Sequence, residues 1–273
     1  MTFPFRGIIK LTGSLLQRGW LPLGLVTLCL YLLPAWGNKA LQTLAFHSDW
    51  RELFISRSGA LGPAAWAFIV IFWLLRGLHM SAVTEIALRT AAAKPIRPGR
   101  LILNAAVRAV PVLLLQFLLE LVIILGGLLL VVPGLFLGAA FSVVVPAYIC
   151  EGKSWPDAFR QSFKLTQNRR LPVGALWFSI ILVAGLLSGS LLSAAHSMEF
   201  GVHQLLPTLS LPPLPTPAPL YPLFFASPLG VVVTTIANQV YTVVLMVLNV
   251  AIYLGLRFHT SDSADNRIAA LFE

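Results

Sequence analysis

Charge is scarce in this sequence: Asp, Glu, Lys and Arg supply 11% of 273 residues, against about 25% in ordinary soluble domains. With 58% of the residues hydrophobic, a chain of this size has no aqueous core large enough to hide them. The surrounding solvent is therefore lipid. Cysteine is scarcer still. Cys29 and Cys150 fall in or beside apolar runs and give no disulfide framework. The five histidines show no zinc-ligand spacing with them. Catalytic signatures are missing too: there is no Gly-x-Ser-x-Gly elbow, no Gly-x-x-x-x-Gly-Lys phosphate loop and no His-Glu-x-x-His. The expectation is a protein that is not an enzyme and holds no metal and no cofactor.

What the sequence does have is long apolar runs. A membrane-spanning helix needs about 20 such residues, and positions 20–36, 62–80, 109–150, 171–195 and 229–256 qualify. The third run is about 63 Å long as one helix, roughly twice the hydrocarbon thickness, so it must double back. Gly126, Gly127, Pro133 and Gly134 supply the breakers and divide it into spans at 109–128 and 131–150. The reading is all-α: a single polytopic membrane domain over 1–273, with six transmembrane helices arranged as three hairpins.

Charge position tests that count, because cytoplasmic loops collect Lys and Arg. With the N-terminus inside, fifteen of the 19 basic residues fall on the inner side, and Lys39, Arg51 and Arg57 fall outside. Arg76 lies within a span. Six spans with both termini cytoplasmic satisfy the rule, as expected for a bacterial inner membrane. The net charge of +9 is then a matter of topology, and no reader motif or aromatic-interleaved patch points to nucleic acid. The start of the chain, basic and then apolar from 21 to 33, has the outline of a signal peptide. No small-x-small cleavage site follows, and the segment is expected to stay as the first helix.

A pattern recurs before the odd-numbered spans: a basic residue, apolar residues and a proline, at Arg18 to Pro22, Arg108 to Pro111 and Arg170 to Pro172. Each is preceded by a segment able to form an amphipathic interfacial helix, at 8–17, 101–107 and 154–167. The third is the best defined. Ser154 reads as its N-cap with Asp157 three positions on. Trp155, Phe159 and Phe163 share one face, and Arg160, Lys164 and Gln167 lie off it, toward water or anionic phospholipid headgroups.

Polar residues within the spans are the candidate functional groups. Glu120 stands about ten residues into the third span, where an ionised carboxylate costs a few kcal/mol. Something must compensate it, and Arg76, Gln116, Asn238 and Gln239 are the candidates. Close helix packing is expected along Gly134, Gly138 and Ser142, and along Gly185, Gly189 and Ser193, because small residues let backbones approach in lipid. In the outer loop 196–228, His196, Glu199 and His203 share a helical spacing but lack a fourth ligand. The prolines from 207 to 222 read as an extended linker.

Three stretches together resemble a known family. They are Gly-Gly-Leu-Leu-Leu-Val-Val-Pro-Gly-Leu at 126–135, Pro-Ala-Tyr-Ile-Cys-Glu-Gly at 146–152, and Ala-Phe-Arg-Gln-Ser-Phe-Lys-Leu-Thr at 158–166. The likeness is to the membrane domain that precedes the catalytic domain in some glycerophosphoryl diester phosphodiesterases, and to related uncharacterised six-helix bacterial inner-membrane proteins. It implies the six-helix layout and a membrane role. It does not bring hydrolysis, since nothing here matches the catalytic barrel. The expectation is a non-enzymatic, lipid-associated organising or accessory protein. The alternatives are a small-molecule or lipid transporter built around Glu120 and a membrane-embedded enzyme. Its partners would be the lipid bilayer and either another protein or a second copy of itself.

Overall fold

A computed structural model describes residues 5–36, 63–129, 131–152, 154–187, 190 and 228–258. Among the described residues the fold is all helical, and six helices are long and apolar enough to cross a membrane. We number the helices in chain order. Helix α1 runs Phe5–Thr27, passes through a π-helical turn at Leu28–Leu32 and continues to Trp36. Then come α2 (Pro63–Ala91), α3 (Pro98–Leu129), α4 (Val131–Phe141), α5 (Val144–Glu151), α6 (Trp155–Thr166), α7 (Arg170–Leu187) and α8 (Pro228–Phe258). Helices α4 and α5 together form the fourth span, Pro133–Glu151.

The chain forms two compact units, one of Met1–Phe178 with Val243–Glu273 and one of Ser179–Thr242. In the first unit the core lies in the second half of α2 and the last turns of α8. Ala82, Val83, Ile86, Ala87 and Leu88 are buried, and so are Val247, Leu248 and Val250 to Leu254. Helices α1 and α3 each run antiparallel to α2. Thr27 of α1 meets His79 of α2, and a Cβ on Gly19 would lie 3.5 Å from the Thr90 hydroxyl. A Cβ on Gly77 would stand 2.5 Å from the carbonyl oxygen of Ala109, so only glycine lets α2 and α3 approach there. Ile8 lies against Gly255, which puts the first and last described helices side by side at one end of the unit. Glu85, Arg89, Arg108, Glu151 and Arg257 cluster at this end, called here the arginine-rich end.

The long apolar run does double back. A Cβ on Gly126 would fall 2.8 Å from the Cα of Gly134, so α3 and α4 touch backbone to backbone beside the turn. Span four is then interrupted at Ser142 and Val143, where Val143 leaves helical geometry (φ −102°, ψ 13°). The cause is Pro146, which has no N–H to give to the carbonyl of Ser142. Gly152, at φ 60°, closes α5 in the left-handed conformation that glycine tolerates best.

Two expectations need correction. Interfacial helices were expected ahead of all three hairpins, but only α6 is a separate element. Segments 8–17 and 101–107 are the opening turns of α1 and α3, with Pro22 and Pro111 inside continuous helices. At about 48 Å, the 32 residues of α3 outreach a hydrocarbon core of about 30 Å, so the helix simply projects beyond it. A proline inside a helix removes one hydrogen bond without ending it, whereas the polar run Gln167–Arg169 forms a true turn, with Arg169 N donating to Thr166 O at 2.8 Å. The second span was expected to stop at 80 but runs on through Ala91, because Ser81, Thr84 and Glu85 are buried inside the unit rather than solvated.

Candidate functional site

Arg76, Gln116 and Glu120 come together. Arg76 Nη2 donates to Glu120 Oε1 at 2.6 Å, and Gln116 Nε2, one turn away on α3, donates to the same oxygen at 3.2 Å. The Arg76 guanidinium also lies 5.3 Å from the centre of the Trp73 ring. Both charged side chains keep about a third of their surface exposed. Because α2 extends to Ala91, Arg76 stands mid-helix, level with Glu120 on the antiparallel neighbour. The other two candidates belong to the second unit. Asn238 is exposed, with its backbone carbonyl accepting from Thr242, and Gln239 is buried.

Two further carboxylates, absent from the candidate set, are more deeply held. Glu85 is 2% exposed; its Oε1 accepts from Arg89 Nε at 2.9 Å and from Asn104 Nδ2 at 3.1 Å, and Arg108 lies 3.8 Å from Oε2. Glu151 pairs with Arg257 and accepts from the Tyr253 hydroxyl at 3.0 Å. Tyr253 is fully buried. The spacing of Glu85 and Arg89, four apart on a helix, was the available signal for the first; for the second it was an acid at the end of a span. Each carboxylate in the first unit's spans thus faces an arginine. A charge taken out of water is tolerated when it is paired and hydrogen-bonded, so these pairs tie α2 to α3 and α5 to α8.

Helix α6 docks by its small face. Ala158, Ser162 and Thr166 are buried, and Ala158 packs with Leu115 and Val144. Ser162 Oγ donates to the carbonyl of Ala140 at 2.9 Å, and the Thr166 hydroxyl, which donates to the Ser162 carbonyl at 2.8 Å, lies 3.1 Å from the same Ala140 oxygen. That carbonyl lies just before the break in span four, where the regular helical donors are displaced. Ser154 does not cap the backbone of α6; its hydroxyl donates to the Asp157 carboxylate at 2.5 Å. The aromatic face is divided. Phe159 packs edge-on against Phe141 at 5.3 Å, whereas Trp155 and Phe163 are exposed. Arg160 and Lys164 are exposed too.

Arg170, at the start of α7, was read from the sequence only as part of the repeat. Its guanidinium lies 3.8 Å from the Phe163 ring centre and 4.9 Å from that of Phe136. Its Nε and Nη2 are buried and have no hydrogen-bond acceptor among the described residues.

The two small-residue stripes differ. Gly134, Gly138 and Ser142 are buried, and a Cβ on Gly138 would meet Trp177 at 3.3 Å. Gly185 is exposed, with nothing within 4 Å of where its Cβ would stand. It is not a packed position, because this half of α7 turns apolar side chains such as Val183 and Leu186 outward. Gly189, Ser193, the trio His196, Glu199 and His203, and the proline-rich segment all lie outside the described residues.

A cavity of about 30 Å³ sits inside the first unit, lined by Met80, Thr84, Gln116, Val145, Pro146, Met246 and Asn249. No family model, curated protein or solved structure matches this chain.

Proposed function

We propose that this chain is a non-enzymatic integral protein of a bacterial inner membrane, with the arginine-rich end cytoplasmic, that gathers anionic phospholipid through the surface formed by α6 and the start of α7. The observation carrying this reading is Arg170: a cation held between two aromatic rings, with no carboxylate partner among the described residues, beside the exposed Arg160 and Lys164. A guanidinium with no protein counter-ion among the described residues is matched by a lipid phosphate, and each basic residue near an anionic leaflet contributes on the order of 1 kcal/mol. Exposed Trp155 and Phe163 supply the apolar and aromatic surface that an interfacial helix inserts among acyl chains.

A transporter centred on Glu120 has less support. That carboxylate is engaged by Arg76 and Gln116, and the cavity next to Gln116 holds water-sized volume, far below the several hundred Å³ of small-molecule sites. Native mass spectrometry of protein released from nanodiscs tests the proposal. The wild-type chain is expected to retain phosphatidylglycerol over phosphatidylcholine, and R170Q combined with R160Q and K164Q to lose that preference. Equal retention of both lipids by the wild type would overturn it.

A further inference from the structure

We propose that the cavity between α2, α3, α5 and α8 is a water site that completes a polar strap across the bundle. The argument starts from two amides whose orientation is fixed by their partners. Trp177 Nε1 can only donate, and it lies 3.0 Å from Asn249 Oδ1, which leaves Asn249 Nδ2 as a donor with no partner among the described residues. Gln116 gives its Nε2 hydrogen to the Glu120 carboxylate, which leaves Gln116 Oε1 as an acceptor equally without one. Both residues line the same cavity. Thr84 lines it as well; its hydroxyl donates to the Met80 carbonyl at 2.9 Å, and its oxygen lone pairs remain able to accept.

One donor and two acceptors around a single space match the bonding capacity of water, which donates two hydrogens and accepts two. The volume agrees: about 30 Å³ exceeds the 10–15 Å³ that a water requires, and it is too small for an organic solute. Inside a span, an amide facing a dry cavity would carry the full desolvation cost. With the water in place, an unbroken chain runs from Arg76 through Glu120, Gln116, water and Asn249 to Trp177. It joins α2, α3, α8 and α7 within one unit. This inference stands apart from the lipid proposal, since no residue is shared between them.

X-ray radiolytic footprinting tests it on the wild-type protein in lipid nanodiscs, with H2(18)O as solvent and mass spectrometry as readout. Irradiated water yields hydroxyl radicals that oxidise the side chains they reach first. Met80 is 5% exposed and lies within a span, yet it lines the cavity; Leu114 and Phe117 are exposed on α3. Water in the cavity predicts that Met80 is oxidised several-fold faster than Leu114 and Phe117, after correction for intrinsic reactivity, and carries the heavy oxygen. It also predicts a several-fold fall in Met80 labelling in N249L, which places apolar volume in the site, and a smaller fall in T84V. Labelling of Met80 no faster than that of the lipid-facing pair, or labelling unchanged in both variants, would overturn the proposal.

Discussion

Glu85 and Glu120 are both acids within apolar helices, and the fold treats them differently. Glu85 is enclosed among Arg89, Asn104 and Arg108, near the ends of α2 and the start of α3. Glu120 sits mid-span with one arginine and one amide, and part of its surface is open. The first arrangement supplies several donors from two helices, so it fixes both rotation and depth of α2 against α3. The second supplies a single tie between the same two helices several turns away. Two charged contacts at different heights set the register of an antiparallel pair that apolar side chains alone would leave free to slide, since lipid is as apolar as leucine.

The contrast can be broken by mutation. The largest loss is expected for E85L, which leaves Arg89 and Arg108 without their carboxylate: about 3–5 kcal/mol, read from denaturant unfolding in detergent. E120L should cost less, about 2–3 kcal/mol, because Arg76 is long enough to reach toward water, and E120Q less again because it keeps a hydrogen-bond acceptor. A double variant R76L/E120L that unfolds no earlier than E120L alone identifies the pair as a structural tie. If E120L proves as damaging as E85L, the difference in enclosure is not what governs their worth.

Smaller effects sharpen the same point for uncharged contacts. S162A removes the hydroxyl that donates to the Ala140 carbonyl and should cost about 1 kcal/mol, with T166V, which loses a bond to the Ser162 carbonyl, costing no more, as expected for buried side-chain hydrogen bonds. G138A should destabilise slightly, since its new methyl meets Trp177, while G185A should change stability by no more than about 0.5 kcal/mol. Equal responses at the two glycines would contradict the difference between the packed and exposed stripes.

The Arg76–Glu120 pair was legible in the sequence because each residue stands alone in a long apolar run, where a charge has few partners within reach. Glu85 was not, because hydropathy placed it beyond the end of the second span, among residues assumed to be solvated. Its burial depends on α3 and the rest of the unit wrapping that part of α2. The three basic-apolar-proline patterns look alike along the chain, yet only the last lies beside a separate helix. What distinguishes it is the polar turn before Arg170 and the docking of Ser162 and Thr166 on Ala140, and the docking is an affair of residues more than twenty positions apart. Similarly, the spacing of Gly185 matched that of Gly134 and Gly138, but spacing cannot say whether a neighbouring helix is present to use the gap.

By itself, the sequence determined that this chain lives in lipid as helices, how many of them are long enough to cross, and where the third run must fold back. Those properties are sums over neighbouring residues, because transfer out of water and backbone hydrogen bonding inside a helix are local. Only the tertiary structure decided which arginine neutralises which carboxylate, which face of α6 is buried, and where two amides meet around a cavity. Those depend on distances between helices, which fall off too steeply for any one segment to encode.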